Sequence, residues 1–485
     1  MGRQEKSGKK LSDCCLNAAL AVGVEWFWRN LAWATKGLTL PHVCANMGAF
    51  SNLFFPQPPP PNVKTKIASF LLATTFVLAL NAGFAAGSDV SASLRVMAFG
   101  SEAQLKAVNN AVARFNQKYP NVKVEVAIDP ISTGWGDYVT RVLSQFNAGN
   151  AYDVYGTAIE TFRTFELRNL FIPLDDYIAS HPSYSDFDPA LFKYASYNGK
   201  TYFIPIGWNN IMINYNRKLF KDAGVDYPKP GWTWNDFRET AKKLTVRDAA
   251  GNITQFGYEV PNQFFFVQPW FYSNGTSILN ADWTASNMLD PKVAETLQFL
   301  YDLIHVDKVS GIPGKDTMDN QYMAGQVAMI SRGHWILENA KKAKLDMDVA
   351  IPPTKVNDYT VIGFGGYGVS KTSKNQDLAK ELIGELTSFE TQKEEGEGGG
   401  GVPGRKSAAE TPTFLAFPPS AALYYQTLPH TLPVPSPANF QEVEKIFIRN
   451  YTAMMSGEIS IADGVKRADR ELNESFKRLA ERQGK

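Results

Sequence analysis

Three aromatic residues carry polar or glycine neighbours that suit recognition of a ligand rather than the making of bonds. Trp208 is followed by Asn209 and Asn210, Trp335 closes the run Ser331, Arg332, Gly333, His334, and Tyr367 lies in Gly363 to Ser370 (GFGGYGVS). An aromatic face can lie on an apolar face of C–H groups, each such stack contributing ~1 kcal/mol by analogy with aromatic pairs. A pyranose offers such a face, and its rim of hydroxyls calls for carboxylates, amides and guanidinium groups in fixed positions. A site built for those hydroxyls rejects ligands that lack them. Glu160, Asn210, Asn274 and Arg405 are the candidate rim partners, with Trp270 and Trp135 as further candidate faces. The competing reading is structural in every case: core packing for the aromatics, a solvated surface for Glu160 and Arg405.

Other chemistries find little support. Gly363, Gly365 and Gly368 satisfy G-x-G-x-x-G, but no helix follows at once and no acid sits about twenty residues on, as dinucleotide binding needs. Tyr424 and Tyr425 are adjacent, as in iron-binding tyrosine pairs, without evident histidine or carboxylate partners. His181, His305, His334 and His430 are scattered, with no helix-spaced pair for zinc. From residue 86 onward there is no G-x-S-x-G and no cysteine. Disulfides, thiolate catalysis, metals and cofactors are therefore not expected. With 49 Lys+Arg against 48 Asp+Glu, nothing points to a nucleic acid or an acidic membrane.

The elements that must position these residues begin well inside the chain. Residues 1 to 62 hold Cys14, Cys15, Cys44 and the Pro58 to Pro61 run without sustained period, and read as a non-native or disordered extension. Lys64 and Lys66 then precede an apolar run from Ile67 to Leu80 and the small residues Ala82, Gly83, Ala85 and Ala86. This is the pattern of a secretory signal over 63–85, the apolar run being shorter than the roughly 20 residues of a membrane span. With no cysteine at the cut, a soluble periplasmic protein without a lipid anchor is expected.

Beyond the signal, Leu94 to Phe99 reads as a strand, Leu105 to Phe115 as a helix and Val122 to Ile128 as a half-buried strand. Such a βαβ opening implies a parallel sheet with a right-handed crossover. Asp153 to Tyr155 reads as a strand, Ile159 to Leu170 as a helix, and Phe256, Tyr258 and Val260 as an alternating strand. Pro205 lies in an extended run that a central strand would not tolerate. Ile211 to Ile213 is a short apolar run, and Thr233 is a good cap for a helix from Trp234. Glu394 to Gly401 reads as a Glu/Gly-rich loop, and the segment from Asn439 as helices. A chain of 485 residues is long enough for two lobes with real cores.

Four landmarks in order carry a resemblance. They are Tyr197 to Pro205 (Tyr-x-Gly-Lys-x-Tyr-x-x-Pro) with its continuation to Phe237, the Pro-Leu-Asp octet Phe171 to Ile178, Tyr322 to Trp335 with its Gly-x-x-Ala-Met and Gly-x-Trp, and Gly363 to Ser370. Together they resemble family 1 of the extracellular solute-binding proteins, the sugar-binding components of bacterial ABC importers whose best-known member binds maltose. The resemblance implies an α/β, two-lobed periplasmic-binding-protein fold of type II. Each lobe is a mostly parallel sheet flanked by helices, and the hinge is crossed more than once. It places lobe 1 at 92–205 plus 366–412 and lobe 2 at 206–365 plus 413–485. It also implies a monomer that closes on a sugar and presents the closed form to an ABC permease, with no catalysis.

In such a fold the ligand lies outside the carboxyl ends of the strands, between the lobes. That rule selects Gly100 and Ser101, Thr157 and Glu160, Trp208 and Asn210, Trp335, and Tyr367. By the resemblance, Trp335 and the residue after Gly366 stand where relatives place ligand-contacting side chains. A polyol, glycerol phosphate or polyamine remains open as ligand. So does a secreted glycan hydrolase with two flanking carboxylates.

Overall fold

The computed structural model describes residues 90–131, 134–314 and 319–484. The extension expected over 1–62 and the signal expected over 63–85 lie outside them.

The alternating apolar residues of β1 (Ala92–Phe99) and β2 (Val122–Asp129) pair in parallel, with helix α1 (Glu102–Lys118) as the crossover. After α2 (Trp135–Asn147) comes β3 (Val154–Ala158), parallel to β1, and then α3 (Ile159–Glu166). Strands β1, β2 and β3 therefore deliver their carboxyl ends to the same edge, the property that makes a binding cleft there. Next come β4 (Ile204–Asn210) and β5 (Met212–Asn216), separated only by Ile211. At that residue the chain leaves a seven-stranded sheet and enters a three-stranded one.

The second layer is built from α4 (Trp234–Leu244), α5 (Phe264–Ser273) and α6 (Pro291–His305), followed by β6 (Met329–Arg332), α7 (Ile336–Ala343) and β7 (Met347–Ala350). Strands β6 and β7 flank β5, both antiparallel to it. Thr233 caps α4 as expected, accepting from the Asp236 amide while Asp236 accepts from the Thr233 amide. The chain then returns through β8 (Thr360–Val369), α8 (Gln376–Leu386), α9 (Phe389–Gly398) and β9 (Val402–Pro403). It ends with β10 (Thr431–Pro433), α10 (Phe440–Met455) and α11 (Ile461–Arg482). The large sheet runs β9-β4-β8-β3-β1-β2, with β10 paired to β8. Its parallel character resides in β1 to β3 and the β8–β10 pair, whereas β8 meets both β3 and β4 antiparallel.

Three local expectations need correction. Glu394 to Gly401 is mostly helix, because contacts outweigh the poor helix propensity of glycine. Ser388 caps α9, Glu394 accepts from Asn110 and Arg114, and Glu395 accepts from Gln104 at 2.8 Å. The helix ends only at Gly399, whose φ of +94° suits a residue without a Cβ. Phe256 to Val260 is not a strand. The strand stops at Gln255, Phe256 makes a single bridge to Val327, and Tyr258 turns into an aromatic core. Pro205, finally, does lie in β4 with strands on both sides. It is tolerated because β9 reaches only Gly207 and Trp208, and because Pro205 stands opposite a bulge between Gly365 and Gly366.

Candidate ligand-binding cleft

At the carboxyl ends of β1, β2 and β3 lies a cavity of about 480 Å³, closed on the other side by α5, Trp335 and α10. Its floor is β8. A Cβ on Gly363 would stand 3.0 Å from the Phe265 ring and 3.6 Å from Glu160 Oε1, and one on Gly365 would stand 2.4 Å from the Phe99 ring. These two glycines serve close packing of side chains against a strand, which explains a glycine-rich motif without phosphate chemistry.

Two aromatic clusters line the cavity. In one, Trp135, in the first turn of α2, meets Phe99 at the end of β1 edge-on, with centroids 5.2 Å apart. In the other, Trp335 stacks on Phe266 at 5.7 Å and lies 6.2 Å from Phe265. The Gly-x-Trp spacing has a direct cause, since a Cβ on Gly333 would fall 2.1 Å from the Trp335 indole. Behind this wall Arg332, almost wholly buried, lies 4.7 Å over the Phe266 ring. It donates to Asp319 at 2.6 Å and to Glu259 at 2.7 Å.

Polar groups line the same cavity. Glu160, in the first turn of α3, is buried, and that burial pushes its carboxyl up to about 8, with Glu444 adding to the rise. Glu444 on α10 is raised to about 7, again by burial. Asn209 reaches the cavity from β4, and its Oδ1 accepts from the His334 amide at 3.0 Å. Gln104, in the first turn of α1, completes the set. Its Oε1 accepts from the Ser101 amide at 2.7 Å and its Nε2 donates to Glu395.

Of the residues singled out from sequence, the cavity brings together Trp335, Glu160, Trp135 and Gly100. Ser101 caps α1 just behind it, with Oγ buried and lacking a hydrogen-bond partner. The others lie elsewhere. Trp208 is fully buried, edge-on to Tyr425 at 6.0 Å. Asn210 is buried and donates to the Tyr424 carbonyl and to Thr427. Tyr367 and Thr157 are buried, Thr157 sharing a hydrogen bond with Thr161. Trp270 lies in the α4–α5–α6 core and donates to Tyr258 Oη at 3.2 Å, and Asn274 binds Glu295, Thr296 and the Lys292 carbonyl. Arg405 is not a surface charge and does not line the cavity. It is buried on the carbonyls of Thr387 and Ser183 and stacked over Tyr184 and Phe187.

Asn209, Gln104, Phe265, Phe266 and Glu444 also line the cavity and were not singled out from sequence. Strand alternation offered one signal: Trp208 and Asn210 share a face of β4, so Asn209 must point the other way.

Comparison with known proteins agrees with this geometry. The family model described as bacterial extracellular solute-binding protein matches residues 110–419, more than half of the chain. An arabinooligosaccharide-binding protein of Halalkalibacterium halodurans is 24% identical over 293 residues, a match covering 56% of this chain and 62% of that protein, under two thirds of its length. A galactooligosaccharide-binding protein of Bacillus subtilis is 23% identical over 418 residues, covering 82% of this chain and 93% of that protein. Among solved structures, an ABC substrate-binding protein of Listeria monocytogenes in complex with cycloalternan superposes with a TM-score of 0.72 at 23% identity, covering 80% of this chain and 99% of that one. The extent of the family match and the two-lobed type II fold place this chain in the bacterial extracellular solute-binding protein family.

Proposed function

We propose that this chain captures a sugar or oligosaccharide between its two lobes and delivers it to the transmembrane subunits of an ABC importer, outside the cytoplasmic membrane and without catalysis. The observation that carries the reading is the cleft itself: two aromatic clusters in its lining, together with two glutamates, an aspartate, an asparagine and two glutamines. That is the arrangement a pyranose requires, apolar faces above and below and hydrogen-bonding groups at the rim. The volume falls within the range of small-molecule sites. The names of the relatives, arabinooligosaccharide-binding and galactooligosaccharide-binding, support the same class.

Among the described residues no lysine, arginine or histidine lines the cavity, which favours this reading over a phosphorylated ligand such as glycerol phosphate. The mechanism is a population shift, because a ligand touching Trp135 on one lobe and Trp335 on the other favours the closed arrangement by its differential affinity. The lobes proposed to move are those read from the sequence, with two of their boundaries shifted to Ile211 and to the segment between β7 and β8, where the chain passes between the seven-stranded and the three-stranded sheet.

The test is a thermal-shift screen of the purified protein against mono-, di- and trisaccharides, polyols, glycerol phosphate and spermidine. A sugar at 100 times its dissociation constant is expected to add about 2.7 kcal/mol of stability. A response confined to glycerol phosphate or spermidine would overturn the sugar assignment. Release of shorter sugars from a bound oligosaccharide would replace capture by hydrolysis.

A further inference from the structure

Two carboxyl groups face the cleft, and no cation among the described residues lines it beside them. Glu160 has a relative exposure of 9% and stands at the β8 floor, and Glu444 enters from α10. Asp319 is a third carboxylate in the wall, with one oxygen engaged by Arg332. No lysine, arginine or histidine among the described residues contributes to the lining. Lys445, next to Glu444 in sequence, is exposed on α10 and outside the cavity. Around the two glutamates stand Phe99, Trp135, Phe265, Phe266 and Trp335, a concentration of ring faces that attract positive charge.

A neutral sugar would leave both acids in surroundings that oppose their ionisation, and each would serve only as one more hydrogen-bond partner. A ligand carrying a positive charge changes the balance. It lets both carboxyls ionise, gives them charge-assisted hydrogen bonds, and gains from the ring faces. An anionic ligand, such as a uronate, would meet three carboxylates, of which only Asp319 has a cation beside it among the described residues.

We propose that the cleft selects a saccharide bearing a protonated amino group, held between Glu160 and Glu444 with its ring between the Trp135 and Trp335 walls. This names the substrate class of the same cleft and rests on the sugar-binding reading. The shared chemistry, an ammonium against paired carboxylates and aromatic faces, also occurs in linear polyamines. The many aromatic side chains in the lining of the cavity favour the amino sugar.

The experiment is calorimetric titration of the purified protein at about pH 6.5, where an aliphatic amine is protonated. Three matched pairs serve as probes: glucosamine and glucose, galactosamine and galactose, and chitobiose and cellobiose. In the two monosaccharide pairs one amine replaces one hydroxyl, in the disaccharide pair one amine replaces one hydroxyl on each ring, and the rest is unchanged. N,N′-diacetylchitobiose provides the neutral amide, and spermidine the polyamine. The amine member of at least one pair is expected to bind about tenfold or more tightly than its neutral partner. Acetylation should remove that preference, and E160Q/E444Q should bring the ratio to within about threefold of unity. E444Q alone, checked for an unchanged melting transition, should lower the ratio if the double variant fails to fold.

Equal or tighter binding of every neutral member would overturn the proposal, as would a preference that survives in both E160Q and E444Q. So would spermidine binding more tightly than any amino sugar. If neutral sugars bind and amines gain nothing, only this proposal falls. If no sugar binds in either form, the sugar-binding reading falls with it.

Discussion

Helix α5 presents two aromatic faces that differ in what they leave uncovered. Trp270 turns inward, edge-on to Trp234 at 5.6 Å and to Phe237 at 5.1 Å, with its indole N–H donating to Tyr258. Phe265 and Phe266 turn the other way, and with Trp335 they form a wall that is packed behind and open in front. The first cluster is closed on all sides and satisfies its polar atom, as a buried tryptophan should. The second is propped from behind by the Arg332 guanidinium, a cation tied to Glu259 and Asp319, so the rings are fixed without being enclosed. What separates a core aromatic from a cleft-lining aromatic here is whether the ring is enclosed on all sides or left open to the cavity.

The sharpest way to break that comparison is to truncate one ring from each face. Trp270→Ala empties a closed cluster and should cost about 3–5 kcal/mol of stability, while sugar affinity of the molecules still folded changes little. Thermal melting paired with titration below the melting transition checks both halves. Trp335→Ala should do the reverse. Loss of one stacking surface is expected to weaken sugar binding about tenfold, or ~1.4 kcal/mol, with a much smaller change in melting temperature than Trp270→Ala produces. If Trp335→Ala destabilises the protein as much as Trp270→Ala does, the wall is core and the cleft assignment fails.

Much of the fold was legible because it is written in local periods. The βαβ opening, the Thr233 cap and the Gly-x-Trp landmark all declare themselves within short windows. The cleft was legible only in part, since which face of an element meets the cavity is decided by packing at a distance. Trp335 and Glu160 follow from the rule that ligands lie past strand ends, Trp135 was a separate candidate as an aromatic face, and all three line the cavity. Trp208 was chosen where its neighbour Asn209 carries the exposed face, the consequence of a two-residue period read without knowing which side is buried. Arg405 could not be placed from sequence, because its partners are backbone carbonyls of Ser183 and Thr387. Glu444 entered from a helix far along the chain, with nothing nearby to mark it.

Helix α3 repeats the contrast with charge in place of rings. Glu160 sits in its first turn, where the helix dipole favours a carboxylate, and faces the cleft, where a ligand can answer it. Glu166 sits in the last turn, where the dipole is unfavourable, and its Oε1 is buried without a hydrogen-bond partner. Burial alone lifts the Glu166 carboxyl from 4.5 to about 8. Between those values the folded protein holds a proton that the unfolded chain has lost, so this group's contribution to stability falls as pH rises from 4.5 toward 8. Glu166→Gln removes the titration and should leave the variant more stable relative to wild type at the upper end of that window than at the lower, by about 1–3 kcal/mol. Sugar affinity should not follow, because Glu166 is not among the residues lining the cavity. Melting of both proteins across the window reads the difference directly, and parallel curves would show that Glu166 is ionised in the fold and has a partner of its own.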